Sequence, residues 1–197
     1  MRITPMFLAL AFAGSSLASG TVQAQAQAVS AAQPEHRRAD IALQQAAQFE
    51  HQVTGVTVSE RGRIFVNFPR WTEDAPVSVA EVMKDGSLRP YPDEQWNAWR
   101  NVRRDELDPS DHWVCVQSVV ADGRGSVWVV DPAAPAVDGI VPRGPKLVRI
   151  DLATDRVAQV IRFGQDVAIP GSYLNDVRFS QDGKFAFLTD AGQRGAL

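Results

Sequence analysis

The stretch LNDVRFSQDGKFAFLTD, residues 174–190, decides the fold. Apolar and polar positions alternate on either side of Gln181-Asp182-Gly183, which reads as two short strands joined by a tight turn. The pattern has two earlier copies. TGVTV (54–58) precedes RIFVNF (63–68), and QSVVA (117–121) precedes SVWVVD (126–131), so that the turn glycines Gly62, Gly125 and Gly183 superpose. Units roughly sixty residues apart are too widely spaced for a single hairpin and suit a four-stranded blade with loop insertions.

A second hairpin follows each of the first two copies. Residues 77–82 and 87–91 flank Lys84-Asp85-Gly86, and residues 146–152 and 156–163 flank Ala153-Thr154-Asp155. Pro69, Pro92 and Pro132 stop strands, because proline cannot donate to a ladder. The expected blades are about 53–91, 113–163 and 172–197, the last incomplete, with its next strand starting at Gly195. Between the first two, residues 92–112 read as an insertion: a short helix over 93–99, with Trp96 and Trp99 on one side for packing, then a charged loop. Closing a ring takes about four to eight blades. The expected fold is therefore all-β, a partial and truncated propeller of about two and a half to three blades with one apolar blade face left open.

Composition excludes some functions. The formal charge of −3 comes without a basic stripe, which argues against a nucleic-acid partner. Residues 1–24 read as a signal peptide: Arg2 is the charged start, 6–13 the apolar stretch, and Val22-Gln23-Ala24 the small-residue cleavage pattern. Residues 25–40 are an Ala/Gln/Ser-rich flexible spacer. The expected location is secreted or periplasmic, with no membrane association after cleavage, since no later apolar run reaches ~18 residues. Cys115 is the single cysteine, so it has no disulfide partner within the chain. Its neighbours Trp113, Val114 and Val116 suggest a buried, small apolar residue. A catalytic thiol paired with the nearby His112 is disfavoured, because close neighbours along a strand do not share a face; a partner cysteine outside this chain is the third alternative.

The runs VTGVTVSERGRIFVNFPRW (53–71), VQSVVADGRGSVWVVD (116–131), GPKLVRIDL (144–152) and GSYLNDVRFSQDGKFAFLTDAG (171–192) together resemble the major royal jelly protein/Yellow family in its bacterial branch. That resemblance implies an exported six-bladed β-propeller of which residues 41–197 are the N-terminal part. It also implies that residues 41–49, within the ambiguous segment 41–51 whose alanines and glutamines favour helix, are the outermost strand that closes the ring with a last blade missing from this sequence. The family includes dopachrome-converting proteins, amine-binding salivary proteins and nutritive secreted proteins.

In a propeller the first strand of each blade lines the central channel. The aligned starts of those strands are Thr54, Gln117 and Asn175, followed by Gly55, Ser118 and Asp176. Thr54, Gln117 and Asn175 are the candidate ligand-binding residues, either gripping a small molecule or satisfying strand ends and channel water. Asp176 is the candidate catalytic base. Asp122 and Asp182 read as turn residues, and Asp131 and Asp190 as caps at strand ends. Three functions remain open. The first is binding of a small aromatic or amine ligand, with a dopachrome-type tautomerisation as the candidate isomerase reaction. The second is a metal-dependent lactone hydrolysis, because Asn175-Asp176 resembles a step of the gluconolactonase-like propellers in which an Asn ligates a cation. The third is a non-catalytic secreted binding module. No cofactor is expected, and no metal set is read from the sequence; His36, His51 and His112 fall outside any metal pattern.

Overall fold

The structure is a computed structural model that describes residues 43–192 apart from Glu73, and the backbone of 195–196. The expected signal peptide and spacer lie outside the described residues. β1 (Gly55–Val58), β2 (Ile64–Asn67), β3 (Val79–Val82) and β4 (Leu88–Pro90) form one antiparallel sheet in chain order. β5 (Ser118–Ala121), β6 (Ser126–Asp131), β7 (Lys146–Asp151) and β8 (Arg156–Arg162) form a second sheet on the same plan. β9 (Leu174–Phe179), β10 (Ala186–Asp190) and β11 (Gly195–Ala196) form a third, with β11 starting where the repeat placed it. Gly62, Gly125 and Gly183 have φ of 76°, 85° and 72°, the left-handed conformation that makes glycine the turn residue in all three copies.

Alternation along the middle strands makes these sheets blades. In β6, Val127 and Val129 join Phe65, Val79 and Tyr91 of the first sheet in one buried cluster. Val130 and Trp128, on the opposite face, pack with Leu174, Val177 and Leu188 of the third. A sheet buried on both faces, each against another sheet, is the packing unit of a propeller. The innermost strands sit side by side, β1 against β5 and β5 against β9. The fold is all-β, three blades of a β-propeller. Large exposed apolar side chains occur on the two flanking blades, Val56 and Val58 on the first and Phe185 and Phe187 on the third.

Two local expectations are corrected. Residues 93–99 form a turn over 94–97 and no helix, and among the described residues the only helical pieces are 3₁₀ turns at Asn101–Arg103, Pro109–Asp111 and Pro135–Val137. Asn97 is the physical reason. Its Oδ1 accepts from the backbone N–H groups of Ser78 (2.8 Å) and Val79 (3.1 Å), and its Nδ2 donates to the carbonyls of Tyr91 and Asp93. A side chain that bonds so much neighbouring backbone competes with helix. Trp96 then stacks on Trp113 at 4.4 Å, while Trp99 is buried beside Val114 and Cys115. The second correction concerns residues 43–51, which pair with none of the eleven strands. A strand exists only through a ladder. This segment is held by side chains instead, with Phe49 edge-on to Phe68 at 5.5 Å.

Asp131 and Asp190, at the ends of β6 and β10, act as caps. Asp131 accepts from the N–H groups of Val114 (2.8 Å), Cys115 (3.0 Å) and Ala133 (2.9 Å). Asp190 accepts from Tyr173 (2.7 Å) and Gly192 (2.8 Å) in the same way. Asp131 also forms a fully buried ion pair with Lys146 at 2.8 Å. Burial pulls the Lys146 ammonium below its usual pKa, and the Asp131 carboxylate opposes that fall. Between the first and second blades, Arg63 bonds Glu81 (2.8 Å) within its own sheet and Asp155 (2.8 Å) and the Leu152 carbonyl (3.1 Å) in the next. Arg89 and the Tyr91 hydroxyl reach the same Asp155.

Removing one partner of a buried pair strands the other charge, so Asp131→Asn is expected to cost about 3–5 kcal/mol in urea unfolding. The ionic seam sets a pH dependence. The Arg63 hydrogen bond, outweighing burial, holds Glu81 below the usual 4.5. Burial works against the charge on Asp155, yet Arg63, Arg89 and Tyr91 outweigh it and hold the group below 3.8. Groups with depressed folded values stabilise the fold above their unfolded values and lose that contribution as pH falls through the folded ones. Unfolding free energy should therefore fall below about pH 4, and the slope should be shallower in Glu81→Gln.

Candidate functional site

The starts of β1, β5 and β9 meet at one cleft of about 400 Å³, whose lining includes Thr54, Gln117, Asn175 and Asp176. These are the residues that the repeat alignment set at the strand starts. Gln117 Nε2 donates to Asn175 Oδ1 at 2.8 Å, which joins the second blade to the third. Thr54 Oγ1 donates to the backbone carbonyl of Gln117 at 2.9 Å, which joins the first blade to the second. The hydroxyl also accepts from Asn67 Nδ2 at 2.8 Å, and the same nitrogen donates to the Val116 carbonyl at 2.9 Å. The one hydrogen of Thr54 is thus committed to the seam between blades.

Gly55 permits that seam. A Cβ there would stand 2.2 Å from Asn67 Oδ1, 3.1 Å from Val119 N and 3.2 Å from Ser118 Cα. The inner strands of the first two blades approach this closely only because one of them has no side chain at that point.

Asn175 is aimed by a β-bulge. Leu188 pairs with Val177 and Asp190 with Leu174, so two residues of β9, Asn175 and Asp176, stand opposite Thr189 alone. The Asp176 N–H donates to Thr189 Oγ1 (3.0 Å). Asp176 Oδ1 accepts from the Val177 N–H (2.8 Å), and Oδ2 pairs with Arg178 at 2.7 Å. Its side chain is 36% exposed. A carboxylate offers about four lone-pair sites, so this one retains acceptor capacity toward the cleft.

Two residues that the sequence reading passed over complete the arrangement. Tyr173 OH donates to Gln117 Oε1 at 2.9 Å and accepts from Trp71 Nε1 at 2.6 Å. Trp71 belongs to the β2–β3 connection of the first blade and Tyr173 precedes β9, so this pair joins the first and third blades directly. Burial raises the Tyr173 pKa above its ordinary value, which keeps the hydroxyl protonated. The available signal was positional: Tyr173 stands two residues before Asn175, and Trp71 follows the proline that ends the β2 run.

The other candidates resolve as structure. Asp122 Oδ1 accepts from the N–H groups of Arg124 (2.8 Å) and Ser126 (3.1 Å), and Asp182 Oδ1 from Lys184 N (3.1 Å), the hydrogen bonds of turn residues. Cys115 is buried and its thiol is pushed up to about 12 by desolvation, the reverse of a reactive thiol. His112 Nδ1 contacts the Asp108 carbonyl at 2.7 Å. Asn175 Oδ1, the atom a cation would need, is engaged by Gln117. Among the described residues, no group of three or more His, Cys, Asp or Glu side chains could hold a metal ion. A recess of about 610 Å³ lies beside Ile140, Pro145, Phe163 and Pro170. Its two arginines, Arg143 and Arg162, are already paired with Asp108 and Asp111.

Residues 114–197 match the model of the major royal jelly protein family. Over that span the chain is similar to the family. No curated protein matches the chain. The royal jelly match begins just ahead of β5 and takes in the second and third blades with Gln117, Tyr173, Asn175 and Asp176. The first blade, with Thr54, Asn67 and Trp71, shares the same meander and the same inner-strand contact. Among the described residues, no helix is long and apolar enough to cross a membrane.

Gly55→Ala is expected to displace the Asn67 amide from Thr54 and Val116, at a cost of about 1–3 kcal/mol in denaturant unfolding. A stability equal to that of the parent would mean that the seam does not depend on the missing Cβ.

Proposed function

We propose that this protein is an exported, Yellow-type propeller that binds a small aromatic or amine compound at the cleft where β1, β5 and β9 begin. The observation that carries the reading is the hydrogen-bonded convergence of Thr54, Gln117 and Asn175, from three blades, on that cleft. Ligand sites commonly pair a concave surface with a few convergent polar groups. The match to a family of secreted propellers supports export and the channel location.

The candidate reaction is a dopachrome-type tautomerisation, which moves a proton and consumes no oxidant. Asp176 takes a proton from a carbon next to a quinone-type carbonyl, and the electron pair passes onto the carbonyl oxygen. The Asn175 amide donates to that oxygen as charge develops, and the proton on Asp176 returns to the isomeric position. Arg178 holds the carboxylate in place.

Asp176→Asn keeps the shape of the side chain and the bond from Val177 but removes the base. Dopachrome conversion should fall about 10²–10⁴-fold with ligand affinity within a few-fold of the parent. Unchanged turnover would remove Asp176 from the mechanism. Ligand binding by a parent protein that shows no turnover would leave a binding module.

A further inference from the structure

The chain of hydrogen bonds at the cleft has a direction. An indole nitrogen is a donor only, so Trp71 Nε1 obliges the Tyr173 oxygen to accept. Tyr173 keeps its single hydrogen, because burial raises its pKa, and donates it to Gln117 Oε1. That fixes the Gln117 amide with Nε2 turned toward Asn175, whose Oδ1 accepts at 2.8 Å. The Asn175 amide is fixed in turn, with Nδ2 at the end of the chain. Among the described residues Nδ2 makes no hydrogen bond, and Asn175 lines the cleft. The Arg178 guanidinium adds donors on the same cleft and pairs with the Asp176 carboxylate there, while Thr54, its hydrogen committed to a backbone carbonyl, offers the ligand no donor.

We propose that the cleft takes its ligand by a hydrogen-bond acceptor, a carbonyl, quinone or carboxylate oxygen docked on Asn175 Nδ2, and that Trp71, Tyr173 and Gln117 are positioning residues that set this polarity. Of the ligand classes open to the site, oxygen acceptors are favoured over ammonium compounds. The inference rests on the cleft being the binding site. Presenting Asn175 Oδ1 instead would require Tyr173 to accept from the Gln117 amide and to give its hydrogen to Trp71, and indole has no acceptor with which to take it.

Indole-3-acetate and tryptamine share a ring and present opposite hydrogen-bonding and charge at the side chain, so calorimetric titration of the full chain with both reads the polarity. The parent should bind indole-3-acetate at least roughly tenfold more tightly, and Asn175→Asp, which keeps the acceptor for Gln117 but replaces the free donor, should reverse the order. Tyr173→Phe frees the Gln117 amide to turn over, so the affinity ratio should move toward one while the circular dichroism spectrum stays that of the parent. A purely structural role for Tyr173 would lower both affinities without changing their ratio, and would overturn its assignment. Tighter binding of tryptamine by the parent, or an unchanged ratio in Asn175→Asp, would overturn the polarity and leave the binding site standing. Binding of neither compound at millimolar concentration would overturn the site itself, and the polarity with it.

Discussion

Two inner strands, β1 and β5, come close at Gly55, where an added methyl carbon would stand 2.2 Å from Asn67 Oδ1 and 3.1 Å from the Val119 backbone nitrogen. With the strands at that distance, Asn67 and Thr54 reach across to the carbonyls of Val116 and Gln117, so polar backbone at the inner edge is satisfied by the neighbouring blade. Further out the same interface closes with apolar packing around Phe65, Val79 and Val129, and then with the ionic seam of Arg63, Glu81, Arg89 and Asp155. The interface thus runs from neutral polar contacts beside the cleft, through a dry core, to charged contacts at its edge.

This division has consequences for chemistry. Charge pairs join the first two blades away from the cleft, and the cleft is left with neutral amides, hydroxyls and one carboxylate–guanidinium pair. Neutral donors held in place by other side chains lose little on binding, because the entropy of ordering them was spent in folding. The β-bulge at Asn175-Asp176 belongs to the same design. It breaks the ladder of β9 for one residue and in return turns Asn175 toward Gln117 and leaves Asp176 on the cleft.

The repeat was legible because turns and alternation are local. Glycine at positive φ, prolines at strand ends and apolar residues at every second position located ten of the strands and placed the start of the last, β11. The capping aspartates Asp131 and Asp190, the turn aspartates Asp122 and Asp182, and the buried Cys115 were legible for the same reason. Alignment of strand starts also brought Thr54, Gln117 and Asn175 together. Tyr173 and Trp71 were not legible, because their contact depends on how the first and third blades turn relative to one another, which no local pattern encodes. Residues 93–99 were misread as helix because Asn97, a weak signal in sequence, bonds four backbone groups of its surroundings. Residues 43–51 carry no ladder partner in the structure, and propensity alone does not supply one.

The contact between Trp71 and Tyr173 is the most direct test, since these residues are 102 positions apart and belong to the first and third blades, with the second between them in sequence. Nuclear Overhauser spectroscopy of the full chain reads it. The account predicts strong cross-peaks between the Trp71 indole N–H and the Tyr173 ring, and slow exchange of that N–H with solvent. An indole N–H that exchanges at the rate of an exposed tryptophan and shows no cross-peak to Tyr173 would contradict the convergence of the three blades on one cleft.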